Sequence, residues 1–167
     1  MRPRGCALGW ALVFVLVLAL GSLLAACGSS APGGGVGVVG QGVILHHDNN
    51  RAIVTLLAVH DHAKSTGKSS SSPRNGMFVV CDVSVRVTSG SWNVSPLSFT
   101  YQTPSGRTFT VLEGNGRDSG YDEPQLDSVT LQAGQQTSGF VVFDVPKGMS
   151  GADLQLHLGN VLFRWKL

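Results

Sequence analysis

Residues 77–88, with the sequence MFVVCDVSVRVT, constrain the fold more than any other segment of this chain. The odd-numbered positions are all apolar, and the polar residues fall on even-numbered positions, namely Asp82, Ser84, Arg86 and Thr88. Successive side chains of a β-strand point to opposite faces of the sheet, so this two-residue period predicts a strand with one buried face. The segment is therefore predicted to be a core strand of a β-sheet.

The same two-residue period recurs along the chain after residue 42. Residues 43–45 and 51–60 are predicted to form a hairpin around the turn-forming residues 48–50. A further strand is predicted at residues 97–101, where the odd-numbered positions are again apolar, and the next continues through Phe109 and Val111. No helical period persists for ten residues outside the N-terminal segment. Eight or nine strands with turns at short spacing predict an antiparallel β-sandwich.

The last third of the chain alternates most regularly. Gly159 and Asn160 are predicted to be a two-residue hairpin turn between its last two strands. The alternating apolar positions are Val129, Leu131, Val141, Phe143, Val145, Leu154, Leu156, Leu158, Val161, Phe163, Trp165 and Leu167.

Residues 1–26 have the composition of an export signal rather than of a folded domain. Arg2 and Arg4 precede an apolar run over residues 10–20, which small residues follow. This order matches the charged, hydrophobic and cleavage regions of a helical signal peptide. A transmembrane anchor is the weaker alternative, because the run is shorter than the roughly 20 residues that span a bilayer.

The sequence Leu24-Ala25-Ala26-Cys27 resembles the lipobox of bacterial lipoproteins. In such proteins diacylglycerol is attached to the cysteine thiol and the signal is cut just before that residue. The resemblance implies that Cys27 is the lipidated first residue of the mature protein. We therefore expect the chain to sit on the extracytoplasmic face of the cell membrane, anchored by its lipid.

Residues 27–42 are predicted to be a flexible tether, which leaves residues 43–167 as the folded domain. The tether is nearly all small residues, and its span if disordered would be about 20 Å. Its glycines Gly35, Gly37 and Gly40 match the dinucleotide-binding pattern G-x-G-x-x-G, but no strand is predicted before them and no helix after them. The match is therefore interpreted as accidental, and no cofactor is expected.

Charge and cysteine content exclude other classes of protein. After loss of the signal, ten Lys and Arg face ten Asp and Glu, so no basic patch supports nucleic-acid binding. Cys6 is lost with the signal and Cys27 is lipidated, so Cys81 has no partner for an intramolecular disulfide. Cys81 falls on the predicted buried face, where a thiol behaves as a small apolar group.

Three segments between residue 77 and residue 167 resemble the DUF4352 family of MPT63-like domains, which are telokin-like and immunoglobulin-like. They are MFVVCDVSVRVTSG at residues 77–90, LQAGQ at 131–135 and SGFVVFDVP at 138–146. Ala133 stands where the family commonly has proline. The resemblance covers about residues 77–167 and implies an immunoglobulin-like two-sheet sandwich of actinobacterial-type lipoproteins, with no catalytic residues to carry over.

His60 and His62 are the candidate metal ligands, because residues two apart on a strand share a face. His46 and His47, which precede the turn, are expected to lie near them if the first two strands pair. The alternative is that all four are solvent-exposed strand-end and turn residues that bind no metal.

Other candidate sites are weaker. Residues 113–127 form a glycine-rich acidic loop that could suit Ca²⁺, but the spacing of a calcium-binding loop is absent. Residues 63–75 form a long polar loop. His157 is expected to face solvent, and Trp92 and Tyr101 to be core or half-core residues. No nucleophile with a neighbouring base emerges, so the chain is not expected to be an enzyme.

These observations favour a non-enzymatic, lipid-anchored binding or adaptor module whose ligand the sequence does not identify. Its expected partners are the membrane, through the lipid on Cys27, and a protein of the cell envelope. The alternative is an extracytoplasmic metal-binding lipoprotein that uses the histidine-rich strand end.

Overall fold

The computed structural model describes residues 34–63, 71–121, 124–148, 151–158 and 161–167, with the side chains of residues 62 and 63 left out. These residues form eleven strands and the 3₁₀ helices Pro96–Ser98 and Gly116–Asp118. The strands are β1 Val36–Gly37, β2 Gly42–His47, β3 Asn50–Ala63, β4 Met77–Ser89, β5 Ser91–Val94, β6 Phe99–Gln102, β7 Thr108–Thr110, β8 Val129–Gln132, β9 Gln136–Val145, β10 Asp153–Leu158 and β11 Val161–Lys166.

Two sheets pack face to face around one core, as predicted for an immunoglobulin-like sandwich. One sheet has the strand order β2-β3-β4-β9 and the other the order β1-β11-β10-β6-β7, while β5 and β8 form a separate two-stranded ribbon. All named strand pairs are antiparallel except β1 with β11. The predicted hairpin of residues 43–45 and 51–60 is confirmed as β2 paired with β3.

Strand β4 is the centre of its sheet, between β3 and β9. Its odd-numbered side chains from Met77 to Val87 lie in the core, so the predicted core strand is confirmed. Phe78 and Val80, on the opposite face, are also buried and pack with Val142 in a second apolar cluster, against which Tyr121 and Phe140 lie. The unbroken apolar run at the start of β4 thus corresponds to burial on both faces, as it does in central strands generally.

The strand predicted at residues 97–101 begins later than its sequence period indicated. Leu97 lies in the 3₁₀ helix Pro96–Ser98 and is 56% exposed, and the strand starts at Phe99. Proline at the first position of this helix has no N–H to lose. The Ser95 hydroxyl accepts a hydrogen bond from the Leu97 N–H (3.2 Å) and stabilises the turn.

The end of the predicted tether carries regular structure. Val36 pairs in parallel with Arg164, and Gly37 with Trp165. Gly35 lies against the Phe163 ring and Gly37 against the Trp165 indole, so close that a Cβ atom would overlap them. The first two glycines of the G-x-G-x-x-G match therefore allow a strand to approach two aromatic rings.

The division into signal, tether and domain stays a prediction, because residues 1–33 lie outside the described residues. The predicted turn at Gly159 and Asn160 lies outside them too, although β10 and β11 pair as its flanking strands should. In the described part of the chain, no helix combines the length and apolar composition needed to cross a membrane.

Candidate functional site

Asp144, on β9, is a fully buried carboxylate that accepts three backbone hydrogen bonds. Its Oδ2 accepts from the N–H groups of Arg74 (2.7 Å) and Asn115 (2.9 Å), and its Oδ1 accepts from the N–H of Asn75 (2.9 Å). A buried carboxylate is stable only when hydrogen bonds replace its lost hydration. Here they come from two segments that are far apart in sequence, so Asp144 joins both to β9.

Side-chain hydrogen bonds strengthen this junction, which we call the Asp144 clamp. The Asn75 amide donates to the Asp144 carbonyl (2.8 Å), and the Asn115 amide donates to the Ser72 carbonyl (2.7 Å). Gly114 has a φ of 64° and leaves no room for a Cβ atom beside the Asp144 carboxylate. The clamp thus fixes residues 71–76 and 113–118 against the end of β9.

A pocket of about 160 Å³ lies beside the clamp, along the edge of β9. Both 3₁₀ helices, residues 125–128 and residues 140–142 contribute to its walls. The lining residues are Pro96, Leu97, Val111, Gly116, Arg117, Gln125, Leu126, Asp127, Ser128, Phe140, Val141 and Val142. Among the residues that the structure describes, the lining contains no histidine or cysteine, so no described nucleophile there has an imidazole base beside it.

Backbone pairing at the edge of β9 shapes the pocket. The Leu126 N–H donates to the Phe140 carbonyl (2.9 Å), and the Phe140 N–H donates to the Pro124 carbonyl (3.0 Å). The Gln125 amide donates to the Arg117 carbonyl (3.0 Å) and joins this segment to the second 3₁₀ helix. Hydrogen bonds therefore join the segment at residues 124–126 both to β9 and to the second 3₁₀ helix, and this segment forms part of the pocket wall.

Arg117 is the residue in this wall best suited to bind a ligand. Its side chain is exposed, and no ion pair involves it within the described part of the chain. The clamp holds the preceding residues, since Asn115 bonds Asp144 and Gly116 packs on the Val142 carbonyl. A guanidinium group on a fixed turn can donate hydrogen bonds to a carboxylate or phosphate.

The predicted metal ligands do not all come together. The pairing of β2 with β3 places His46 opposite Arg51, about 30 Å along the strand from His60. The expectation that His46 and His47 would join His60 is therefore wrong, because β3 continues far beyond β2. His46 instead accepts a hydrogen bond from the Arg51 Nε (3.3 Å).

His60 is exposed on β3, and its ring lies 6.4 Å from the Phe140 ring, measured between centroids. His62 follows on the same strand, but its side chain is outside the described residues. Among the described residues, no three or more His, Cys, Asp or Glu side chains lie together in a group that could hold a metal ion. Metal binding by His60 and His62 stays a prediction.

The remaining candidates have ordinary structural roles where they are described. In the acidic loop, Glu113 accepts a hydrogen bond from the Thr110 N–H (3.1 Å), while Asp122 and Glu123 lie outside the described residues. His157 is exposed, and its Nε2 lies 3.0 Å from the Thr100 hydroxyl. Of the long polar loop at 63–75, residues 64–70 lie outside the description.

The predicted core residues are confirmed. Cys81 is fully buried, and its burial raises the pKa of the thiol, which disfavours a reactive thiolate. Trp92 and Tyr101 are both buried. Tyr101 packs against Phe143 with 5.9 Å between ring centroids.

Like Arg117, Asp144 is a residue of this site that sequence reasoning missed. It occupies an even-numbered position of β9, where the two-residue period predicts a solvent-facing side chain. A signal was present in the sequence, since the acid stands inside the apolar run FVVFDV. An acid within such a run is buried only if it has partners, and its partners are backbone groups that a sequence does not reveal.

Solved structures with a similar fold include two secreted or lipoprotein-like proteins. MPT63, a secreted protein from Mycobacterium tuberculosis, is 20% identical with a TM-score of 0.60, over 83% of this chain and 100% of MPT63. YcdA, a candidate lipoprotein from Bacillus subtilis, is 20% identical with a TM-score of 0.51, over 74% of this chain and 38% of YcdA.

YjhA from Bacillus subtilis is also similar, with 12% identity and a TM-score of 0.53, over 77% of this chain and 97% of YjhA. At these identities the likeness shows the fold alone. None of the curated proteins matches this sequence. The profile of the domain of unknown function DUF4352 matches residues 47–164, which begin well before the segments that carried the resemblance in sequence. The chain belongs to the DUF4352 family.

Proposed function

We propose that this protein is a lipid-anchored, extracytoplasmic, non-enzymatic binding module that engages its partner through the pocket beside the Asp144 clamp. The observation that carries the proposal is the exposed Arg117 on a turn that the clamp holds at the pocket wall. The secreted or lipoprotein-like descriptions of MPT63 and YcdA support an extracytoplasmic location.

The clamp matters for binding because ordering a loop opposes association. Loops already held in one conformation lose less conformational entropy when a partner binds. A pocket of about 160 Å³ is large enough for one protein side chain or a small molecule, and its exposed Leu97 offers apolar contact beside the Arg117 charge. The partner expected here carries an anionic group next to an apolar one.

The proposal is tested in cells with a photocrosslinking amino acid at Leu97 of the full chain. We expect a specific adduct at this position that Arg117→Glu abolishes, because the substitution reverses the charge at the pocket wall. The same amino acid at Ser105, an exposed turn residue remote from the pocket lining, is the control and should give no such adduct. An adduct that persists in Arg117→Glu would contradict recognition through the pocket.

The anchor is tested separately in the same cells by Cys27→Ala, with Cys6→Ala as the matched control. Cys27→Ala should shift the protein from the membrane to the soluble fraction or leave its signal uncut. Cys6→Ala should leave both partitioning and mass unchanged, because Cys6 lies within the predicted signal. Unchanged membrane partitioning and mass of Cys27→Ala would remove the lipid anchor from the proposal.

A further inference from the structure

Three large apolar side chains are exposed where the described chain begins, and a fourth is exposed on β3. Val36, Val38 and Val39 are 64%, 60% and 39% exposed, and Leu57 on β3 is 44% exposed. We call these four residues the edge patch. Single exposed apolar residues are common in soluble proteins, but three within four consecutive positions of a glycine-rich segment form a local concentration.

The backbone brings the four residues of the edge patch to one side of the sandwich. Strand β1, which contains Val36, is the edge strand of its sheet. The chain then crosses to the other sheet, where the Gly40 N–H donates to the Leu56 carbonyl (2.7 Å). Val38 and Val39 stand in this crossing, so the edge patch runs from the edge of one sheet to Leu57 on the other.

The orientation of β1 is fixed by its glycines. Gly35 and Gly37 face the Phe163 and Trp165 rings, and this close approach leaves Val36 on the outward face. Arg164 is the register partner of Val36 and is exposed. No ion pair involves Arg164 in the residues that the structure describes. The edge patch therefore has an uncompensated guanidinium group at its border.

The predicted anchor is close to this patch along the sequence. Gly34, the first described residue, follows Cys27 by seven positions. Seven residues span at most about 25 Å when fully extended, and about 15 Å on average as a flexible chain. A domain of this size has a radius of gyration of about 14 Å, so a lipid on Cys27 would hold this edge of the domain near the bilayer surface.

We propose that the edge patch contacts the lipid surface to which Cys27 anchors the chain, with its valines at the acyl boundary and Arg164 at the phosphate groups of anionic lipids. Apolar side chains bordered by a cation suit the interface of an anionic bilayer. The inference rests on the lipid anchor of the proposed function. A few partly exposed side chains add little affinity, so their effect is to orient the domain.

This orientation would direct the pocket away from the membrane. The edge patch lies at β1 and beside β2, whereas the pocket lies at β9 and just beyond β7. In each sheet these strands form opposite edges. Contact through the edge patch therefore leaves Arg117 facing the cell envelope, where a partner can reach it.

The test measures how deeply single sites lie in the bilayer. The full lipidated chain is reconstituted in phosphatidylethanolamine and phosphatidylglycerol vesicles that contain lipids brominated on their acyl chains. A cysteine introduced as Val38→Cys carries an environment-sensitive fluorophore. Labelling is selective because Cys81 is buried and Cys27 is blocked by its lipid. The matched control is Leu112→Cys, an equally exposed apolar site just beyond β7 at the far edge.

We expect the bromolipids to quench the fluorophore at Val38 about threefold more strongly than at Leu112, because bromine quenches only probes within the acyl region. Equal quenching at the two sites in protein that floats with the vesicles would overturn the membrane contact and leave the anchor intact. Protein that fails to float with the vesicles would overturn the anchor, and with it the contact.

Discussion

At the scale of single residues, Asp144 explains how a sandwich keeps two of its loops in place. Its carboxylate oxygens receive backbone N–H groups from Arg74, Asn75 and Asn115, which belong to segments that the sequence only indicated as polar loops. Hydrogen bonds to a charged acceptor are about twice as strong as neutral ones. One buried acid therefore replaces the regular pairing that irregular segments lack.

The role of Asp144 predicts a large loss of stability when its carboxylate is removed. Asp144→Ala should lower the free energy of unfolding by about 3–5 kcal/mol, because three partly buried backbone N–H groups lose their charged acceptor. Asp144→Asn should cost less, since one oxygen remains while the new NH₂ group opposes an N–H. Urea denaturation measures both, with exposed Asp127→Asn expected to change stability by no more than about 0.5 kcal/mol. An Asp144→Ala protein as stable as Asp127→Asn would contradict the clamp.

At the scale of elements, β1 shows how glycines can specify a strand. Residues 34–40 have no alternating apolar face of their own, and their glycines predict flexibility when the segment is considered alone. In the structure the missing Cβ atoms let the backbone lie against Phe163 and Trp165 and pair with β11. Strand β1 can therefore pair at the edge of the sheet, because residues without a Cβ atom fit against the two rings.

Gly37→Ala should therefore destabilise the protein by about 1–3 kcal/mol, through overpacking against the buried Trp165. A Cβ atom at this position would lie 2.6 Å from the indole nitrogen. Val36→Ala, on the exposed side of the same strand, is the matched control and should be nearly neutral. Hydrogen exchange of the Arg164 amide, which donates to the Gly35 carbonyl, reports the pairing directly. Unchanged exchange at Arg164 in Gly37→Ala would show that β1 tolerates the extra carbon.

At the scale of the whole molecule, the two sheets enclose a core that contains ionisable groups in their neutral forms. Burial, with a smaller contribution from the negative charge of Asp61, raises the pKa of Tyr101 to about 12 from its ordinary 10.0. The same two causes raise the pKa of the Cys81 thiol. The fold thus favours the protonated phenol and thiol over their anions.

This difference predicts that the protein loses stability in alkaline solution. Above pH 10 the unfolded state releases the Tyr101 proton while the native state retains it, so the free energy of unfolding falls as the pH rises towards about 12. Cys81 adds to the fall from about pH 9. Urea denaturation at intervals of half a pH unit measures the free energy of unfolding against pH. This free energy should fall less steeply with pH in Tyr101→Phe than in the parent chain. Identical slopes would show that the phenol does not contribute.

The sequence by itself determined the sandwich, its central strand and the burial of Cys81, because a two-residue apolar period survives wherever a strand has one core face. It also indicated the lipobox at Cys27 and the DUF4352 membership. The sequence did not show that His46 and His60 lie far apart. They belong to the same hairpin, but His46 pairs near the start of the long strand β3 and His60 lies near its end.

Only the tertiary structure decided the clamp, the pocket and the edge patch. Asp144 was missed because its partners are backbone N–H groups brought together by loops, and loops carry no period. Strand β1 was missed because its glycines favour a strand only where aromatic rings lie against them, and the sequence does not show those contacts. The period of a sequence shows which face of its own strand a side chain takes. The contacts that build a site join segments that are far apart in the chain, and their separation in sequence does not determine their distance in space.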